Sequence, residues 1–124
     1  MDITLRRVTH ANFGELADLA VREDQREFVA SNAVSIMEAY TTLVEGGVAL
    51  PFGIYAGDTP VGFLMIGYDC LDWEDAPAVA RGAYCLWRLM IDARYQGRGY
   101  GRRALQQALS YIRTFPCGPS EHCW

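Results

Sequence analysis

The stretch of this chain best suited to chemistry is Gln96-Gly97-Arg98-Gly99-Tyr100-Gly101. It follows an apolar run, Tyr84 to Ile91, and leads directly into Arg102 to Phe115. There Ala104, Leu105, Ala108, Leu109 and Ile112 recur at helical spacing and Pro116 ends the pattern. A glycine-rich turn at the start of a helix presents N–H groups that lack partners within the helix, at the positive end of the helix dipole. Such a turn is an anion site suited to phosphate. Arg98, Arg102 and Arg103 add positive charge beside it, although the two on the helix serve equally well as solvated surface groups. A dinucleotide-binding fingerprint needs G-x-G-x-x-G after an early strand and an acidic residue about 20 positions on. Here the glycines are spaced G-x-G-x-G and the chain ends too soon. A P-loop is excluded because no Gly-Lys-Ser/Thr exists. A tight turn without a ligand remains the plain reading of the glycines alone.

Composition narrows the partners. The net charge of −4 argues against general nucleic-acid affinity, which needs a basic stripe to neutralise phosphates. Every basic residue is Arg and none is Lys, a bias without evident chemical meaning. The longest apolar runs, Gly62 to Ile66 and Leu86 to Ile91, fall far short of the roughly 20 residues that span a bilayer. The N-terminal MDITLRR lacks the basic-then-apolar order of a signal peptide, so the expected address is the cytoplasm. Cys70, Cys85, Cys117 and Cys123 form no C-x-x-C pair, and only His10 and His122 accompany them. Reduced thiols and no metal are expected, with a Cys117, His122, Cys123 cluster as the sharper alternative.

These groups need elements to hold them. With 124 residues the chain suits one domain, whose core buries roughly two-thirds of the unfolded surface. Ile3 to Val8 alternates as a first strand. Asn12 and Glu15 resemble a capping box opening a helix through about Val21. Ser31 or Asn32 caps a second helix whose Ile36, Tyr40, Leu43 and Val44 define one buried face, ended by Gly46-Gly47. Phe52 to Ala56 and Val61 to Tyr68 form a hairpin about Gly57-Asp58-Thr59-Pro60. The second of these strands is apolar on both faces, as a central strand covered by helices would be. Asp69 to Gly82 reads as a long acidic connecting loop. Within the strand Tyr84 to Ile91, Arg88 is costly unless it meets a carboxylate or reaches a cleft.

Gln96-x-x-Gly99-x-Gly101, preceded by Leu86 to Ile91 and Asp92, resembles the R/Q-x-x-G-x-G/A signature of the GNAT N-acetyltransferase superfamily in its strand-to-helix position. The order of elements fits as well. More narrowly, VREDQREFVASNAVSIMEA, PVGFLMIGYD and LWRLMIDARYQGRGYGRRAL are similar to bacterial spermine/spermidine (diamine) acetyltransferases. The resemblance implies acetyl-CoA as cosubstrate, with its pyrophosphate on the amides of Gln96, Gly97, Arg98, Gly99, Tyr100, Gly101 and Arg102. It also implies that the main chain of Leu89, Met90 and Ile91 accompanies the pantetheine arm, one amide polarising the thioester carbonyl. A neutral amine would then attack the thioester, so a carboxylate is needed to take a proton from the ammonium or to attract it. Glu23, Asp24 and Glu27 follow the first helix, where the family forms its acceptor site, and the loop Asp69 to Asp75 is a second candidate. Trp87 stands where the related enzymes carry an acidic residue, and an aromatic there would wall the acceptor pocket.

The family domain continues with a further strand, a helix and a final pair of strands beyond what Glu121-His122-Cys123-Trp124 begins. The expected tyrosine acid would lie there, so no catalytic acid is assigned among Tyr68, Tyr84, Tyr95, Tyr100 and Tyr111. The combined expectation is a single domain over residues 1–124, incomplete at its C-terminus, with an α/β (α+β) fold and a mixed central sheet flanked by helices. Its function would be acetyl transfer to a primary amine, a polyamine first, without nucleic-acid or membrane partners. Another amine acceptor, such as an antibiotic or a protein N-terminus, is the first alternative. A non-catalytic CoA-binding or oligomerisation fragment is the second, with a strand-exchanging homodimer as the minority view of assembly.

Overall fold

A computed structural model describes residues 2–26, 31–68 and 83–114. Its element order is β1 (Ile3–Arg7), α1 (Phe13–Ala17), a 3-10 turn (Glu23–Gln25), α2 (Asn32–Val44), β2 (Val48–Ala56), β3 (Thr59–Tyr68), β4 (Tyr84–Ile91), a second 3-10 turn (Ala93–Tyr95) and α3 (Tyr100–Ile112). The strands lie in the order β1-β2-β3-β4, each pairing antiparallel. A mixed sheet was the expectation; among the described residues each connection instead returns the chain alongside its predecessor in the opposite sense.

The hairpin is tighter than the sequence predicts. Gly57, at φ +62°, and Asp58 alone separate β2 from β3, and both strands extend beyond the apolar runs. Two prolines enter these strands without breaking the ladder. Pro60 lies beyond the point where β4 begins to pair with β3. The carbonyl of Pro51 accepts from Val8 N–H, so its nitrogen faces the side that β1 is leaving.

The sheet is covered on both faces, as the apolar character of β3 predicts. On one, Leu64, Ile66 and Ile54 pack with Ala104, Ala108 and Ile112 of α3. On the other, Phe63, Met65 and Tyr55 pack with Leu16, Leu19 and Ala39 from the α1–α2 side.

Two helix expectations are corrected. α1 ends at Ala17, and Asn12 makes no side-chain cap to it. The Asn12 side chain instead accepts from Thr9 N–H at 2.8 Å and donates to the Arg7 carbonyl, while Glu15 accepts from the Tyr55 hydroxyl at 2.8 Å. Ser31 does cap α2, accepting from Val34 N–H. The buried face of α2 is not the predicted one, however. Tyr40, Leu43 and Val44 are exposed, and Asn32, Ser35 and Ala39 face inward with Ile36 beside them. Small and polar residues at i, i+3 and i+7 let the helix approach the sheet closely. The fully buried Asn32 donates to the Leu16 carbonyl at 2.8 Å, tying the start of α2 to the end of α1.

Among the described residues no helix is long and apolar enough to cross a membrane. Cys85 is buried in β4. The acidic loop at 69–82, Glu27 and the tail cluster Cys117, His122 and Cys123 lie outside the described residues.

Candidate active site

β4 is last in the sheet order, so among the described residues its outer edge carries no strand. The Asp92 N–H donates to the Val61 carbonyl at 2.8 Å, which sets the phase of the ladder. In antiparallel pairs, inward and outward main-chain groups alternate. Met90 therefore turns its main chain to β3, while Leu89 and Ile91 turn theirs to the open edge. A bulge precedes them: Met65 stands opposite Arg88 and Ile66 opposite Leu86, leaving Trp87 as the extra residue. Trp87 accordingly packs with Met90 against the α1–α2 side, and Leu86, Leu89 and Ile91 against the α3 side.

Beyond β4 the chain makes the turn that the glycines predict. Asp92, with a side chain only 7% exposed, anchors it. Its Oδ1 accepts from Arg94 N–H at 3.0 Å and from Arg94 Nε–H at 2.8 Å, and its Oδ2 accepts from Ala20 N–H at 3.0 Å. Burial pushes this carboxyl's pKa up, but the bonds from Arg94 and Ala20 and the Arg94 charge outweigh it and hold the pKa below the usual carboxylate value. Gly97 and Gly99 follow at φ +79° and +78°, backbone that other residues adopt only with strain. A Cβ added at either would meet nothing within 4 Å, so the outer side of the turn is open space.

Gly99 is the N-cap of α3 and offers no side chain to it. The Gly99 carbonyl receives the Arg103 N–H at 3.2 Å. The amides of Tyr100, Gly101 and Arg102 thus precede the helical ladder and have no intrahelical acceptor. With the helix dipole behind them they form an anion cradle.

Turn and strand enclose a cleft of about 470 Å³. Leu89, Met90 and Ile91 form one wall. Tyr95, Gln96, Gly97, Gly99, Tyr100 and Gly101 of the turn line it further, together with Val21 and Gln25 from the segment after α1. Its apolar strand wall and the amides at the start of α3 suit a ligand with an apolar arm and a diphosphate. A second cavity of about 330 Å³ adjoins it, sharing Val21 and Met90 and lined also by Asp18, Arg26, Ser31 and Asn32.

The structure thus brings together the predicted Leu89, Met90, Ile91, Gln96, Gly97, Gly99, Tyr100 and Gly101. Arg98 and Arg102 are exposed and outside the cleft wall; the Arg98 guanidinium lies 5.7 Å from the Tyr95 ring, with Arg94 at 5.2 Å. Glu23 and Asp24 are exposed on the 3-10 turn beside Gln25, and Asp24 pairs with Arg22 at 3.4 Å. Trp87 is not part of the cleft wall. Arg88 meets a carboxylate, Glu38 of α2, at 2.9 Å. Sequence reasoning missed Val21, Gln25 and Tyr95, which no local motif marks, and the anchoring role of Asp92, for which an acidic residue at a strand end was the available signal.

The profile of the acetyltransferase (GNAT) family matches residues 27–120, and the chain belongs to that family. It is 32% identical over 116 residues to the spermine/spermidine N(1)-acetyltransferase of Bacillus subtilis (strain 168), covering 90% of this chain and 69% of that one. Among solved structures, a GNAT family acetyltransferase from Brucella melitensis in complex with acetyl-CoA superposes with a TM-score of 0.64 at 14% identity, covering 98% of this chain and 73% of the other. An aminoglycoside acetyltransferase in complex with coenzyme A gives 0.69 at 16% identity, over 93% and 69% of the two chains. At those identities the two structures speak to the fold alone.

Proposed function

We propose that this chain binds acetyl-CoA in the β4–α3 cleft and transfers the acetyl group to a primary amine, with a polyamine such as spermidine or spermine as the acceptor. The observation that carries the proposal is the joining of two features in one cleft. The open main-chain edge at Leu89 and Ile91 runs directly into the unpaired amides at the start of α3.

The diphosphate lies on the amides of the turn from Gln96 to Arg102, held by backbone geometry and the helix dipole. Arg98 and Arg102 act from the rim by charge. The pantetheine arm extends along β4, where the outward main-chain groups of Leu89 and the outward N–H of Ile91 are available to it; the Ile91 carbonyl already accepts from Gln96. An amide of this strand donates to the thioester carbonyl oxygen, where negative charge builds as the amine attacks. The amine nitrogen bonds to the carbonyl carbon, the carbon–sulfur bond breaks, and the CoA thiolate leaves and takes up a proton. The acceptor enters from the adjoining cavity, where Asp18 supplies a carboxylate not singled out from sequence. Glu23 and Asp24 are the proposed carboxylates that draw the ammonium and receive its proton through water. Trp87 packs behind this region and shapes it from the core side. The choice of a polyamine rests on the likeness to the Bacillus relative.

The test is release of CoA thiol in the presence of acetyl-CoA and a panel of amines: spermidine, spermine, an aminoglycoside and a peptide with a free N-terminus. Fastest release with the polyamines is expected. Fastest release with another member would keep the transfer and change the acceptor. Binding of CoA with no release for any amine would identify a non-catalytic CoA-binding chain.

A further inference from the structure

We infer that Gln25 is a positioning residue for the cosubstrate turn, acting through Gln96; the inference rests on the cofactor reading above. Gln96 Nε2 donates to the Gln25 Oε1 at 3.0 Å and to the Ile91 carbonyl at 2.9 Å. Gln25 Oε1 also accepts the Arg22 N–H at 3.2 Å. The two main-chain ends of this chain of bonds fix both amide orientations. A backbone N–H at Arg22 requires an oxygen from Gln25, and a backbone carbonyl at Ile91 requires an NH2 from Gln96. The pair therefore joins head to tail in only one way.

Its location gives it a function beyond local stability. Gln25 and Val21, from the segment after α1, line the same cleft as Gln96 and the glycines. Close by, Ala20 N–H donates to Asp92 Oδ2 at 3.0 Å and Ala93 N–H donates to the Ala20 carbonyl at 2.9 Å. These bonds staple the segment after α1 to the end of β4. Asp92 fixes the start of the crossing; the Gln25–Gln96 pair is the link that reaches the glycine turn itself. Gly97 and Gly99 give that turn no side-chain restraint, so its position depends on Gln96, and Gln96 is held by Gln25 from the segment after α1. Both glutamines are partly exposed, so water can replace the bond at little cost to folding. What is lost is the pre-set position of the anion cradle, which the cosubstrate must then order on binding.

The test is CoA affinity by calorimetry for the full chain, Gln25→Met, Gln96→Met and the double variant, each with its thermal midpoint. Gln25→Met is expected to bind CoA about fivefold more weakly, the loss of one neutral hydrogen bond, with little change in midpoint. In the Gln96→Met background the same change is expected to cost nothing further. Where an amine is turned over, the KM for acetyl-CoA rises and kcat stays. Gln25→Asn, too short by one methylene to serve both partners, is expected to repeat the effect and covers a Met variant that folds poorly. Wild-type affinity in Gln25→Met, or losses that multiply in the double variant, would overturn the inference alone. A wild-type chain that binds no CoA would overturn the cofactor reading and this inference with it.

Discussion

Replacing Asp92 by Asn removes a charge while keeping the shape of the side chain, and the surrounding donors set the cost. Each oxygen of the carboxylate faces donors only: Ala20 N–H on one side, Arg94 N–H and Nε–H on the other. An asparagine has one oxygen and one NH2, so whichever way it lies, a donor meets a donor inside a site that is nearly closed to water. One charge-assisted bond is worth about 1.5–3 kcal/mol, and an orphaned buried donor costs about 1–3 kcal/mol. Because Arg94 is largely exposed, its ion pair adds little to this sum. The expected loss at neutral pH is therefore about 2.5–6 kcal/mol. At roughly 4 °C per kcal/mol for a chain of this size, the melting midpoint falls by about 10–24 °C. The pH dependence has a definite sign. The folded pKa lies below the unfolded one, so the stabilisation is complete above about pH 4, the ordinary carboxylate value, and is lost as pH falls through the folded pKa. Urea unfolding of wild type and Asp92→Asn across neutral and acid pH measures both. The gap between the two proteins is expected to be constant above about pH 5 and to narrow as pH falls through the folded pKa. A gap under about 0.5 kcal/mol at neutral pH, or one that persists undiminished below the carboxylate range, would refute the reasoning.

Two further substitutions test other parts of the site. A Cβ on Gly62 of β3 would run into the Met90 carbonyl and crowd Ile91, so Gly62→Ala is expected to cost about 1–3 kcal/mol. It should also weaken CoA binding, because the strain falls on the β4 wall; thermal unfolding and calorimetry on one preparation read both. Arg88→Met removes a half-exposed ion pair with Glu38 and also a buried Nε that has no partner among the described residues. These effects oppose each other, and stability is expected to stay within about 1 kcal/mol of wild type, against a loss above about 3 kcal/mol if the pair were a buried anchor.

The strand, turn and helix that make the cofactor cleft were legible because each rests on local chemistry. Glycines at 97 and 99 are needed for positive φ, the apolar run stops at Asp92, and the spacing from Ala104 to Ile112 marks one face of α3. The part of the lining that comes from the segment after α1 was not legible. Val21 and Gln25 reach the cleft only because Asp92 and Ala93 bind Ala20, a contact across some 70 residues that no periodicity encodes. α2 misled for a different reason. Its apolar residues Met37, Tyr40, Leu43 and Val44 lie outward, and the face it buries is defined by how closely Ser35 and Ala39 allow it to approach. Glu15 and Asn12 were similarly drawn away from the helix terminus by Tyr55 and the backbone of β1's end, tertiary partners that compete with capping.

The central claim is that the β4–α3 cleft is a CoA site, and calorimetric titration of the chain with acetyl-CoA, beside Gly99→Asp, tests it most directly. An aspartate at 99 would place strain on left-handed backbone and a negative charge in the open space of the cradle. Saturable binding by the wild type and its loss in a folded Gly99→Asp chain is the predicted result. A folded wild type that does not bind, or a Gly99→Asp variant that binds as tightly, would contradict it.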